Sequence, residues 1–275
     1  MMEKLYGEEN FTIRQRIGFF FLATLPSVVC ITAQFVVQLA ILLYAGFDEA
    51  ALMESSTFST FIYHIFGICF FGLWYYLICV RRDANVPKKK KKISVLAAVL
   101  SILMGIALCL FANGIVALEY RIVPSVVEAY MEMVERAGMF EDIFSMIAAI
   151  FLAPVGEELL CRGLTLHFAK KAFPKFWQAN ILQAALFGFI HLNWVQGIYA
   201  FAIGLCLGYM RENYQSLIPA MLIHFTVNFS STFWIEKAFG WIPDTLLSDI
   251  LLFVIPFVMI LCMVFLAKKE KHKNL

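Results

Sequence analysis

Eight long apolar runs govern what this chain can fold into. They lie at about residues 17–45, 58–80, 93–118, 143–168, 176–192, 194–210, 217–235 and 246–267. A hydrocarbon layer ~30 Å thick is crossed by roughly 20 helical residues rising ~1.5 Å each. Most of the runs reach that length, and some are shorter. With 61% apolar and 15% charged residues and a mean hydropathy of +0.79, lipid must solvate most of the chain. A segment in lipid has to satisfy its own backbone hydrogen bonds, which only helices and closed barrels do. The expected fold is all-α, a polytopic membrane protein with about eight transmembrane helices.

Loop charge orients those helices, because Lys and Arg accumulate on the cytoplasmic side. Arg14 and Arg16 precede the first run; Arg81, Arg82 and the run Lys88 to Lys92 follow the second. Lys170, Lys171 and Lys175 follow the fourth, Arg211 follows the sixth, and Lys268, Lys269, Lys271 and Lys273 close the chain. The alternate loops are acidic, with Asp48, Glu49 and Glu54 in one and Glu119, Glu128, Glu132, Glu135, Glu141 and Asp142 in another. Eight spans with both termini cytoplasmic satisfy this pattern. The net charge of +2 hides the asymmetry. The lysine run is a topology signal that contacts anionic lipid headgroups, and no nucleic acid is needed to explain it.

The first apolar run is too long for a cleaved signal and lacks a small-residue cleavage site, so it is expected to stay as a helix. The seven cysteines have no paired spacing, which points to neither disulfides nor a Cys-based zinc site. Val126, Val127, Tyr130, Met131, Met133 and Val134 pattern the segment 119–142 as an amphipathic helix on the outer surface. No repeat or low-complexity linker divides the chain. A single membrane domain over 1–275 is expected, with its catalytic core at about 143–235.

Charged groups at membrane depth cost at least ~2.5 kcal/mol each near the centre, so they mark function unless neutralised. The fourth run carries Glu157 and Glu158 side by side, and Arg162 four residues after the second. A helix brings Glu158 and Arg162 onto one face, giving Glu158 a counter-ion. Glu157 points about 100° away and lacks that partner. Burial raises the pKa of such a carboxylate and suits it to general-base chemistry. Pro154 and Gly156 are expected to loosen the helix and admit water or a substrate backbone. The bland alternative is a structural Glu–Arg clamp with a protonated bystander.

The fifth run contributes His191, with Phe187 one turn earlier and Gly188 allowing close helix approach. The seventh contributes His224 and Asn228 at i,i+4, two donors on one face able to hold a developing oxyanion. Each is equally readable as interhelical hydrogen bonding. What favours chemistry is their joint occurrence on three runs. His64 stands among aromatics without a nearby carboxylate and is assigned to structure, as is His167. Gln34 and Gln38 are read as packing or as lining a polar path. Cys161, four residues past Glu157, is a remote candidate nucleophile.

These residues form a series. EELLCR fits EExxxR, FGFIH fits FxxxH and HFTVN fits HxxxN, in that order along 153–228. The series resembles the CAAX prenyl protease type II family, also called CPBP or Abi proteins, which are intramembrane glutamic endopeptidases. The resemblance implies that Glu157 and His191 activate water, that His224 and Asn228 form the oxyanion hole, and that Glu158 and Arg162 orient the site. It implies no cofactor and no metal, and close helix packing at Gly204 to Gly208.

Two rivals stand beside that reading. A zinc-dependent membrane protease would use Glu157, His191 and His224 as three ligands, although no HExxH motif is present. A non-catalytic bacteriocin-immunity or transport protein would use the same cluster to bind a ligand or proton. The expected partners are membrane lipid and a membrane-associated peptide or protein, possibly a prenylated one, at the plasma membrane. Substrate identity and oligomeric state are not encoded in any feature of the chain.

Overall fold

The computed structural model describes residues 11–45, 49–81, 93–136, 142–233 and 243–273. Regular structure among them is entirely helical. Helix α1 is Ile13–Ala45; α2 is Glu49–Tyr75, prolonged by a π-helical turn over Tyr76–Val80; α3 is Val95–Ile122 and α4 is Pro124–Arg136. Then come α5 over Ile143–Ala172, α6 at Phe176–Phe189, α7 at Trp194–Tyr214, α8 at Ile218–Phe233 and α9 at Leu246–Lys273. Each of the eight apolar runs is helical over most of its described length. Asp48, Arg82, Lys88 to Lys92 and Glu141 lie outside the described residues.

Local chemistry sets the boundaries. Ser94 caps α3 by accepting from the Ala97 amide at 2.9 Å, and Asp142 caps α5 by accepting from Phe144 at 2.7 Å and Ser145 at 3.1 Å. Val123 leaves helical geometry and Pro124 opens α4, where its missing N–H costs nothing. The amphipathic segment expected over 119–142 is therefore shorter. Glu119 still belongs to α3, Asp142 to the start of α5, and α4 lies between them with Val127 fully buried.

Among the described residues five helices are long and apolar enough to cross a membrane: Ile13–Ala45, Ser59–Val80, Val95–Ile122, Ile143–Ala172 and Leu246–Glu270. This is an integral membrane protein. The other three runs, α6 to α8, have 14, 21 and 16 residues and pack among the five. Helix α3 is the centre of the bundle. Of its span 56% is buried, against 11% for α1 and 6% for the span in α2, which face outward. Glycines let the neighbours approach α3 at backbone distance. A Cβ on Gly105 would stand 2.8 Å from the Ile223 carbonyl of α8, and one on Gly114 would stand 2.7 Å from the Phe253 nitrogen of α9.

Contacts at the helix ends sort the bundle into two rims. At one rim the start of α1 meets the end of α5, with Arg16 Nη1 donating to the Ala172 carbonyl at 3.5 Å. There too Lys170 pairs with Glu212 at 2.8 Å, and Tyr214 donates to Glu270 at 2.6 Å. At the opposite rim Arg121 is held by Asp244 and by Asp249, the latter at 2.8 Å, and the Tyr130 and Tyr199 hydroxyls meet at 2.9 Å. Basic side chains thus gather at the first rim.

Candidate active site

The site is built on an unusual stretch of α5. Between the ordinary helical turns at Ile143–Ile147 and Ala153–Glu158 the backbone passes through a π-helical segment at Ala148–Leu152, and a second follows at Leu159–Thr165. Such widened turns are frequent at functional sites. Pro154 has no N–H to return to the preceding turn, so a carbonyl there needs another donor. Asn228 supplies one, its Nδ2 donating to the Ala149 carbonyl at 2.8 Å. Ile68 of α2 covers Gly156, 3.6 Å from where a Cβ would stand.

The pairing of Glu158 and Arg162 is present and fully enclosed, with Nη1 donating to Oε1 at 2.9 Å and neither side chain exposed. The same Oε1 lies 2.9 Å from His224 Nδ1. Glu158 therefore joins the arginine of its own helix to the histidine of α8. Arg162 is further fixed by donation to the Gly204 carbonyl at 3.3 Å, an oxygen it shares with Gln183 at 2.9 Å. Gln183 and Asn180 stack against Gly208, where a Cβ would collide with both amides. The close packing expected at Gly204 to Gly208 is what holds Arg162 in place.

Glu157, the other member of the pair, is 22% exposed. Its Oε2 lies 3.7 Å from His224 Nε2, so the two nitrogens of His224 face the two adjacent glutamates. His191 sits in the turn after α6, and its Nδ1 meets the Phe187 carbonyl at 2.8 Å. With Nδ1–H donated there, Nε2 keeps its lone pair. The turn is tight: Leu192 adopts φ 53°, a left-handed conformation costly for a Leu, and Asn193 caps α7 by accepting from the Gln196 amide at 3.1 Å. A Cβ on Gly188 would stand 2.5 Å from the Gly197 carbonyl, so α6 and α7 touch at backbone distance beside His191.

Phe187 joins the parts. Its ring centre lies 4.3 Å from Arg162 Cζ, 5.1 Å from the His191 ring and 5.5 Å from the His224 ring. Of the residues implied to act on substrate, His191 and His224 flank Phe187 and Glu157 faces His224, with Glu158 and Arg162 behind them, while Asn228, one turn along α8 from His224, meets the Ala149 carbonyl. Cys161 is fully buried and reaches no open surface, which removes it as a nucleophile. Among the described residues no three His, Cys, Asp or Glu side chains converge to hold a metal ion. Sequence reasoning gave Phe187 only a place on the His191 face and gave Gln183 and Asn180 no role. It also gave His64 a structural place only, whereas His64 stands one helical turn before Ile68, which lies over Gly156 beside Glu157.

Residues 139–230 match the family model described as Type II CAAX prenyl endopeptidase Rce1-like. No curated protein and no solved structure matches the chain.

Proposed function

Taking as premise that the chain belongs, over residues 139–230, to the type II CAAX prenyl protease family, we propose that it is a glutamate-dependent endopeptidase. Its substrate is a membrane-associated peptide, of which a prenylated C-terminus is the leading case. The family makes the chain a membrane protease. The observation that favours the glutamic mechanism is the unequal fate of two adjacent carboxylates, Glu158 enclosed with Arg162 and His224 both on its Oε1 and Glu157 22% exposed beside His224.

In this scheme Glu157 takes a proton from water, aided by the free Nε2 of His191, and the hydroxide adds to the scissile carbonyl carbon. The oxyanion forms against His224 and Asn228. Asn228 has two amide hydrogens; the Ala149 carbonyl takes one and orients the other toward substrate. With a proton on each nitrogen, His224 donates Nδ1–H to Glu158 and Nε2–H to the oxyanion. The two glutamates are then balanced by Arg162 and His224, and the cluster is neutral in its low-dielectric surroundings. As the carbon–nitrogen bond breaks, Glu157 passes its proton to the leaving amine, which leaves a carboxylic acid and a free amine. The setting proposed with this function is the plasma membrane.

Comparative peptidomics of membranes carrying the wild type and Glu157→Ala tests this. Peptides that accumulate uncut in the variant, and their cleaved products in the wild type, are expected. Identical profiles with normal insertion of both proteins would refute proteolysis at Glu157.

A further inference from the structure

The wall of the site formed by α1 and α2 carries polar groups that the scheme above does not use. Four lie in otherwise apolar helices: Cys30 and Gln34 on α1, Tyr63 and His64 on α2. Three hold one another. Gln34 Nε2 donates to Cys30 Sγ at 3.8 Å, and Cys30 Sγ meets the Tyr63 hydroxyl at 3.3 Å. His64 differs. The edge of the Tyr63 ring packs against it with ring centres 5.3 Å apart, yet its ring nitrogens make no hydrogen bond among the described residues.

Helix packing shows which way it faces. Along α2, Ile68 lies over Gly156, Gly72 meets Leu159 at 3.7 Å and Tyr75 lies over Gly163, so α2 runs parallel to α5 along one stripe. His64 is four residues before Ile68 and belongs to that stripe. One turn further on the same pair of helices, Phe61 meets Phe144 with ring centres 5.4 Å apart. His64 is therefore held between these levels on the face toward α5, one turn along α2 from Ile68, which lies over the residue preceding Glu157. An imidazole left without a partner in an apolar helix forfeits its hydration, and a polar ligand restores it. On this side Glu157 is the site's accessible carboxylate.

We propose that His64 is a substrate-binding residue of the Glu157 site, donating or accepting a hydrogen bond with the backbone of the bound peptide from the α2 side, with Tyr63, Cys30 and Gln34 fixing its orientation. This rests on the reading of the site as a peptidase. The test uses the full chain in detergent with Glu157→Gln as a background that binds without turnover, and an S-farnesylated, fluorophore-labelled CAAX peptide as probe. Adding His64→Ala is expected to raise the Kd about tenfold, and adding His64→Gln, which keeps a hydrogen-bonding group, to hold it within about threefold of the parent. Thermal unfolding of all three is expected to coincide. An unchanged Kd in the His64→Ala protein overturns this proposal alone. So does equal loss in both variants with a lowered unfolding temperature, which would make His64 a packing residue. Failure of the Glu157→Gln parent to bind the peptide would overturn the prenylated-peptide substrate, and this proposal with it.

Discussion

Glu157 and Glu158 are adjacent in sequence and the same in chemistry, so their separate predictions test environment alone. Glu158 is buried with Arg162 and His224 on one oxygen, while its Oε2 is enclosed without a partner. Glu158→Ala leaves the Arg162 charge buried and uncompensated, and is expected to cost about 3–5 kcal/mol in stability along with activity. Glu157→Gln touches a partly exposed group and is expected to leave thermal unfolding in detergent unchanged while lowering the cleavage rate by roughly 10²–10⁴-fold. Equal destabilisation by the two substitutions would show that Glu157 is structural. The Glu158–Arg162 pair was legible because i,i+4 spacing within one helix dictates it. The second bond of Glu158, to His224, was not, because it depends on which face of α8 meets α5, which no spacing within one segment encodes. For the same reason His64 read as isolated.

Elements follow a similar division. The eight apolar runs announce helices because lipid admits little else, and α4 announces itself by its alternation of Val, Tyr and Met with Glu. What could not be read was the π-helical backbone of α5, since widened turns are a compromise between Pro154 within the helix and Asn228 outside it. Of the three runs outside the five long apolar spans, α6 with 14 residues and α8 with 16 are shorter than a simple crossing needs, and α7 has 21. The α6–α7 hairpin makes a prediction of its own. Gly188→Ala sets a methyl 2.5 Å from the Gly197 carbonyl and forces the helices apart beside His191. It is expected to cost about 1–3 kcal/mol and to lower kcat more than it raises KM. Gly67, which has nothing within 4 Å of its would-be Cβ, is the control. Gly67→Ala is expected to be neutral or to stabilise by up to about 1 kcal/mol, since alanine favours helix. If both substitutions behave alike in thermal unfolding, close approach at Gly188 is not what positions His191.

At the scale of the whole molecule the charge of the rims ties the site to a side of the membrane. Arg16, Lys170 and Arg211 lie at the rim where α1 begins and α5 and α7 end, and Arg121 at the other rim is neutralised by Asp244 and Asp249. A net excess of Lys and Arg stays cytoplasmic, so the first rim is expected inside, with both termini. Glu157 lies 13 residues before Lys170 on α5, or roughly 20 Å along the axis at ~1.5 Å per residue, well inside a ~30 Å layer. A peptide reaching it from the cytoplasmic leaflet must then pass most of the hydrocarbon depth unless α5 extends beyond the bilayer at its basic end. Fluorescent-protein fusions at either terminus are expected to light up, and an alkaline phosphatase fusion inserted at residues 137–141 to be active. Loss of fluorescence at both termini, with phosphatase activity there instead, would invert the molecule. It would also place the entry path of the substrate at the rim carrying Arg121, Asp244 and Asp249.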